Sequence, residues 1–327
     1  MSTRVSGTTV RLGTRASRLA LWQANHVAER LAAAAPGHRF ELVTFQTTGD
    51  RIGDVALPRI GDRGLFTQDI ETALRDGAID LAVHSLKDLP TAATPDLALG
   101  AIVEREDPRD ALVTAGGVPL NALRAGARIG TSSLRRRVQI LALRRDLAIT
   151  DIRGNVPTRL DKVTRGDCDG TLLAYAGLLR LGLSGRAAEV LDGRALLPAP
   201  GQGALAVQVR AADAATLALV VAIDHAPTRL ATLSERTVLG ALRGGCQAPL
   251  GALARWDDGA LQVTAVVGAI DGATMLRSEA RGRAGEPNAA IALGEQVAED
   301  LRRQGAGGLL AAAREWIEAA APARGTA

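Results

Sequence analysis

Short apolar runs alternate with amphipathic stretches along most of the chain, a pattern that predicts α/β architecture. Residues 10–13 read as a strand. In residues 19–35 the apolar positions 21, 24, 28, 31 and 35 have a helical period, and the stretch stops at Pro36-Gly37. Residues 41–45 give a second strand, 67–75 a helix and 80–83 a buried strand, with HSLKDLP as the loop at its C-terminal end. A strand over 97–103 follows, and then EREDPRD, a charged, Pro-containing stretch suited to a hinge. The alternation resumes with strand 128–130, helix 133–144, strand 147–153, helix 156–165, strand 171–174 and a helix ending at 181. LLPAPGQGALAVQVR is punctuated by Pro and Gly and then becomes a strand over 204–210. From about residue 226 the pattern changes to a helix, a Gly-Gly-Cys turn, three strands (252–256, 262–269, 273–279) and two helices, predicting a smaller α+β domain. No internal repeat or low-complexity linker interrupts the chain, and ARGTA at its end is expected to fray.

A length of 327 residues suggests two or three domains at ~150 residues each. The two cysteines, Cys168 and Cys246, cannot build a disulfide framework or a four-Cys zinc site, so a reducing cytoplasm is expected. MSTRVSGTTVRLGTR lacks the apolar core of a signal peptide. The longest charge-free apolar run, residues 214–223, is about half of the ~20 residues a membrane span needs. Of 39 basic residues all but Lys87 and Lys162 are Arg, while Trp, Phe and Tyr total seven. Too few aromatics remain for a base-stacking platform, and a net charge of +4 suits small anionic ligands at least as well as nucleic acid.

Ligands of open α/β sheets collect at the carboxyl ends of strands, near helix N-termini. Four polar segments fall at such places: TRASRLALWQ (14–23), HSLKDLP (84–90), GTSSLRRR (130–137) and RGNVPTRL (153–160). In GTSSLRRR, Ser132 or Ser133 is placed to cap the helix, with Arg135 and Arg136 in its first turn. Positive charge there opposes the helix dipole and costs stability unless something negative is bound. With Arg15, Arg153 and Arg159 at similar strand ends, the pattern predicts a cleft between two lobes lined by guanidinium forks for carboxylate or phosphate. Asp88, beside Lys87, would have its pKa pulled down by such cations and up by burial, and could move protons or steady a developing cation. The neighbouring His84 reads as a polar group at a strand end. Cys246, in GGCQAP, is expected to be accessible; Cys168, in RGDCDG, has acidic neighbours that raise its pKa. No His or Cys spacing suggests a metal site, and there is no G-x-x-x-x-G-K-[ST] phosphate loop.

LGTRASRLALWQ, GLFTQDIE, AVHSLKDLP, EREDPRDA, GTSSLRRR, RGNVPTRL, LPAPGQGAL and GGCQAPLG, in this order and spacing, resemble the porphobilinogen deaminase (hydroxymethylbilane synthase) family. The resemblance runs from about residue 10 to 320. It implies three α/β domains, the first two like the lobes of type II periplasmic binding proteins. These are domain 1 (1–103 plus 204–222, the chain crossing back), domain 2 (108–198) and domain 3 (226–322). It implies a monomeric transferase of tetrapyrrole (porphyrin, haem) biosynthesis that joins four porphobilinogens head to tail with loss of ammonia. The linear hydroxymethylbilane is then hydrolysed off and passed to the next pathway enzyme.

The resemblance also assigns residues. Cys246 would carry a dipyrromethane cofactor by thioether. Lys87, Ser85, Ser133, Arg135, Arg136, Arg153 and Asp88 would bind the cofactor. Arg15, Ser17, Gln23, Arg153, Arg159, Arg180 and Phe66 would bind substrate. Asp88 would be catalytic, assisting ammonia loss and stabilising the azafulvene cation. Residues 52–64 correspond to a mobile lid. Departures from the family pattern are Arg59 and Arg63 for the commoner Lys, Asp62 for Gly, Gln68-Asp69 for Lys-Glu and Arg18 for Pro. Pro157 in RGNVPTR suits a first helical turn. Two rivals remain at this point: a non-catalytic two-lobed anion-binding protein and, on charge alone, a nucleic-acid binder.

Overall fold

The computed structural model describes residues 8–46, 67–245 and 247–319. By internal contacts they fall into two units. One comprises residues 8–46, 67–106 and 203–229; the other comprises residues 107–202, 230–245 and 247–319. The chain crosses from the first to the second inside EREDPRD and returns inside APGQGA.

In the first unit β1 (Thr8–Arg15) leads into α1 (Arg18–Ala34), whose first turn is capped by Ser17 accepting from the Ala20 amide at 3.3 Å. The buried positions of α1 are Gln23, Ala24, Val27 and Leu31, with Ala28 packed against the same core, so positions 24, 28 and 31 of the expected stripe face inward while 21 and 35 are half-buried. Gln23, a polar side chain outside that stripe, is buried as well and is tolerated there because it is hydrogen-bonded. β2 (His38–Phe45), α2 (Gln68–Arg75), β3 (Leu81–Ser85) and β4 (Leu97–Ile102) follow. Much later in the chain β10 (Leu205–Arg210) inserts between β3 and β4, giving the order β2-β1-β3-β10-β4. β1 pairs in parallel with β2 and β3, whereas β10 runs antiparallel to both of its neighbours. Central β3 opens with three consecutive apolar residues, Leu81–Val83, because both its faces are covered. Leu12, Leu31, Leu81 and Val207 meet in the core under α1, each worth ~2 kcal/mol in burial. The apolar run after residue 213 is a helix, α6 (Ala214–Val221), capped by Asp213 accepting from the Thr216 amide at 3.0 Å.

The second unit repeats this design. β5 (Asp110–Thr114), β6 (Arg128–Gly130), β7 (Ala148–Thr150), β8 (Gly170–Ala174) and β9 (Glu189–Val190) form a sheet of order β7-β6-β8-β5-β9. β6 is parallel to β7 and β8; β5 is antiparallel to β8 and β9. The intervening helices are α3 (Leu134–Leu143), α4 (Val156–Thr164) and α5 (Tyr175–Arg180). β5 had no counterpart in the sequence reading. It is short, buried at every position and therefore without alternation, and it starts inside the stretch read as a hinge.

The same unit holds the part of α7 (Ala226–Ala241) from Leu230 onward and a meander of β11 (Leu250–Asp257), β12 (Ala260–Gly268) and β13 (Met275–Gly282), covered by α8 (Pro287–Arg303) and α9 (Ala306–Ala319). Asp258 and Gly259 both have positive φ, the two-residue turn that hairpin twist demands. Glu235 of α7 is fully buried. It accepts from the Gly201 amide at 2.7 Å and the Ala254 amide at 2.8 Å, fastening the PGQG segment and β11 to one carboxylate. No helix among the described residues is long and apolar enough to cross a membrane.

Candidate active site

In the first unit the polar residues gather at the C-terminal ends of β1 and β3. β1 ends at Arg15, and Ser17 Oγ accepts the α1 cap bond. Gln23 Nε2 donates to Ser85 Oγ at 3.0 Å, which ties α1 to the end of β3. The chain then makes a single 3₁₀ turn, Leu86–Asp88, whose apolar Leu86 is fully buried while Lys87 is half-buried. Burial of Leu86 orients the turn and leaves Asp88 exposed. Its carboxylate takes no hydrogen bond from any described residue. The burial expected of Asp88 is thus not there.

His84, one position before Ser85, is buried. Burial lowers its pKa to about 4 against a weaker upward pull from Gln208, and the charge of Arg15 lowers it further. It is a neutral imidazole at pH 7, as a strand-end polar group and not a charged base. Glu71 of α2 lies behind this end of the sheet. Its Oε1 accepts from Gln208 Nε2 at 2.9 Å and from Thr94 Oγ1 at 3.1 Å.

In the second unit the corresponding strand ends carry cations. Arg135 and Arg136 stand in the first turn of α3, and both are buried. The negative group that position calls for is the protein's own. Arg135 Nη1 donates to Asp110 Oδ2 at 2.6 Å, and Arg136 Nη2 donates to Asp110 Oδ1 at 2.7 Å. Asp110 is the first residue of β5 and completely buried. The two guanidiniums hold its carboxyl far below the ordinary range despite the opposing cost of burial. Sequence reasoning missed it. The available signal was a lone Asp heading the apolar run ALVT, masked by the charges of EREDPR.

Neither serine caps α3. Ser133 occupies the N-cap position without a side-chain bond; Ser132 Oγ instead donates to Ile152 O at 3.0 Å. The Ser133 amide is satisfied by Thr131 Oγ1 at 3.2 Å. The tight turn after β7 is built by Gly154 and Asn155. Gly154 has φ +111°, and a Cβ there would sit 2.6 Å from Thr158. Asn155 Oδ1 caps α4 by accepting from the Thr158 amide at 3.0 Å, with Pro157 in the first turn.

This turn sets Arg153 and Arg159 next to Arg136. Desolvation, Arg136 and Arg153 together lower the Arg159 pKa to about 10, and burial lowers that of Arg153. Arg159 Nε donates to Gly154 O at 2.8 Å. Two buried donors of the cluster, Arg136 Nε and Arg153 Nη2, have no hydrogen-bond partner among the described residues. Crowded guanidiniums with unspent, desolvated N–H groups are chemically matched to a multiply carboxylated ligand. Arg180 closes α5 and is buried. Cys168 is buried, and burial is the main cause of its raised pKa, so it is not an activated thiol. Cys246, Phe66 and the 52–64 segment with Arg59, Asp62 and Arg63 lie outside the described residues. No cluster of His, Cys, Asp or Glu among the described residues could hold a metal ion.

Comparison with known proteins supplies the identity of this chemistry. Residues 10–218 match the family described as "Porphobilinogen deaminase, dipyromethane cofactor binding domain", and residues 229–303 match "Porphobilinogen deaminase, C-terminal domain". The chain is 50% identical over 303 residues to the porphobilinogen deaminase of Desulforudis audaxviator, covering 93% of this chain and 97% of that protein. It is 49% identical over 301 residues to that of Moorella thermoacetica, covering 92% and 95% respectively.

Proposed function

The chain belongs to the porphobilinogen deaminase family, and from that premise we propose how its own residues divide the work. The activity is the head-to-tail condensation of four porphobilinogens, with one ammonia lost at each step, followed by hydrolytic release of linear hydroxymethylbilane. The family's cofactor is a dipyrromethane. When bound it supplies a two-ring primer whose terminal pyrrole carbon accepts the first substrate unit. A non-catalytic anion-binding role is not favoured.

Each substrate and cofactor ring carries an acetate and a propionate, so elongation loads the protein with carboxylates. Arg135, Arg136, Arg153 and Arg159 bind these groups, and Ser133, whose hydroxyl is not used as a cap, adds a neutral contact. The unpartnered Arg136 Nε and Arg153 Nη2 are the single observation that carries this assignment. In the other unit Asp88 acts on the substrate as ammonia departs. An exposed carboxylate without a hydrogen bond among the described residues is open to the cation that develops on the pyrrole ring. Arg15, Ser17, Lys87, Gln23, Ser85, Arg180 and Phe66 complete the contacts, with the Gln23–Ser85 pair holding the end of β3 in place. Cys246 is the attachment point, since a thioether survives the repeated acid–base chemistry of elongation.

Three separate sheets support a division into domains 1–103 plus 204–222, 108–198 and 226–322. The reading further includes a monomer in the cytoplasm whose product passes to the next tetrapyrrole-pathway enzyme. Incubation with porphobilinogen should release one ammonia per substrate consumed and four per hydroxymethylbilane formed. Binding of porphobilinogen without ammonia release would overturn the catalytic reading.

A further inference from the structure

We propose that Asp110 is a positioning residue: it grips one amino group each of Arg135 and Arg136 so that their remaining donors meet ligand carboxylates in a fixed geometry. The inference rests on the functional reading above and concerns the same arginines.

Three distant segments of the chain converge on this one carboxylate. EREDPRDA supplies Asp110 itself, GTSSLRRR supplies the two guanidiniums, and LPAPGQGAL supplies Gln202, whose Nε2 donates to Asp110 Oδ1 at 2.9 Å. Gln202 is in turn held by Pro108 O at 2.7 Å. Arg135 Nη1 also donates to Leu197 O at 2.8 Å. Leu197 is clamped by Gln139, which donates to its carbonyl at 3.0 Å and accepts from its amide at 2.7 Å. Every one of these polar groups has its position fixed by another.

Stability alone does not explain such an arrangement. A buried carboxylate with two guanidiniums pays a large desolvation cost, and well-packed apolar side chains usually serve stability as well or better. The triad instead does two things that apolar packing cannot. Its two oxygens keep two mutually repelling cations side by side at the start of α3. Each cation also spends only part of its fork: Arg135 keeps Nε and Nη2, and Arg136 keeps Nε and Nη1, unbonded among the described residues. A guanidinium anchored at one corner presents the rest of its donors without losing rotamer entropy when ligand arrives.

The cofactor being covalent, displaced arginines would misplace the acceptor ring without emptying the site. The defect therefore belongs in kcat more than in KM. Asp110→Glu separates positioning from mere charge balance, because it keeps the anion and shifts it by one methylene. We expect Asp110→Glu to fold cooperatively and to keep the wild-type intact mass. Its kcat for porphobilinogen should fall about tenfold or more, with KM changed less than about threefold. Wild-type kcat in a folded Asp110→Glu enzyme, or a rise in KM at unchanged kcat, would overturn the proposal.

Should Asp110→Glu fail to fold, Gln202→Leu decides, since it retains all three charges and removes one restraint on the carboxylate. It should lower kcat about threefold at unchanged KM, and unaltered kcat would overturn the proposal. Ammonia release and a covalent two-ring mass in the wild type test the underlying function separately. Their presence alongside a fully active Asp110→Glu would refute only the role of Asp110.

Discussion

The two five-stranded sheets share one spatial design, three parallel strands followed by an antiparallel one, yet they use carboxylates in opposite ways. In the first, Asp88 sits just past the end of β3, exposed and without a hydrogen bond among the described residues. In the second, Asp110 opens β5, fully buried and tied to two arginines and a glutamine. On the roles proposed above, the carboxylate that meets a transient cation has to stay unspent. One that sets the geometry of other groups has to be immobile. The same contrast runs through the hydroxyls: Ser17 of the first unit is committed to a helix cap, whereas Ser133 of the second occupies a cap position without capping.

The strongest way to break this comparison is to delete each unit's key side chain. Asp88→Ala should melt like wild type and lose at least about 100-fold in turnover, and Asp88→Glu should retain slight activity. Near wild-type product formation by the alanine variant would remove Asp88 from the chemistry. Arg135→Leu should cost about 3 kcal/mol in denaturant unfolding, because it strips a buried carboxylate of one counter-charge. Arg153→Leu should change stability by less than about 0.5 kcal/mol while impairing cofactor loading or elongation, since its buried Nη2 has no hydrogen bond to lose among the described residues. Equal destabilisation by both substitutions would contradict the distinction between the anchored and the waiting arginine.

Acid sharpens the comparison by separating the units in pH. The folded-state pKa of His84 is depressed from 6.5 to about 4, so its neutral form contributes fully above pH 6.5. That contribution, ~3 kcal/mol, is lost as pH falls towards 4. Asp110 is also depressed, from 3.8, so its contribution is intact above pH 4 and lost only at more acid pH. Unfolding free energies at pH 7, 5.5, 4 and 2.5 should show His84→Gln flattening the upper window and Asp110→Asn the lower. The same slope in both variants would dissolve the assignment. At the small end, Ser17→Ala should cost ~1 kcal/mol through the lost α1 cap. Ser133→Ala should leave stability within about 0.5 kcal/mol and act on activity instead, which paired thermal melts and assays would check.

How much of this could be read beforehand depended on whether the signal was local. β6, with GTSS and the Arg-bearing helix behind it, was legible because strand, turn and helix are contiguous in sequence. So was the late return of 204–210 to the first sheet, through the family resemblance. β5 was not, because a short strand covered on both faces shows no period and its opening Asp sat among other charges. The inward face of α1 was legible at positions 24, 28 and 31, but the burial of Gln23 was not, because its partner, Ser85, lies 62 positions away. The expected Ser132 or Ser133 cap failed because Thr131 and the Ile152 carbonyl compete for the same groups. Patterning finds elements; it does not find the long-range partner that makes a buried polar group affordable.

The central claim is that this protein primes its own chemistry with a covalent pyrrole pair held at Cys246. Intact mass of the denatured protein tests it most directly, because a thioether survives acid, heat and denaturant. The account predicts a mass above that of the bare sequence by two porphobilinogen units less two ammonia molecules. All of it should map to the GGCQ peptide, with Cys168 alone open to alkylation. The bare-sequence mass, persisting with Cys246 unmodified after incubation with porphobilinogen or preformed hydroxymethylbilane, would contradict it.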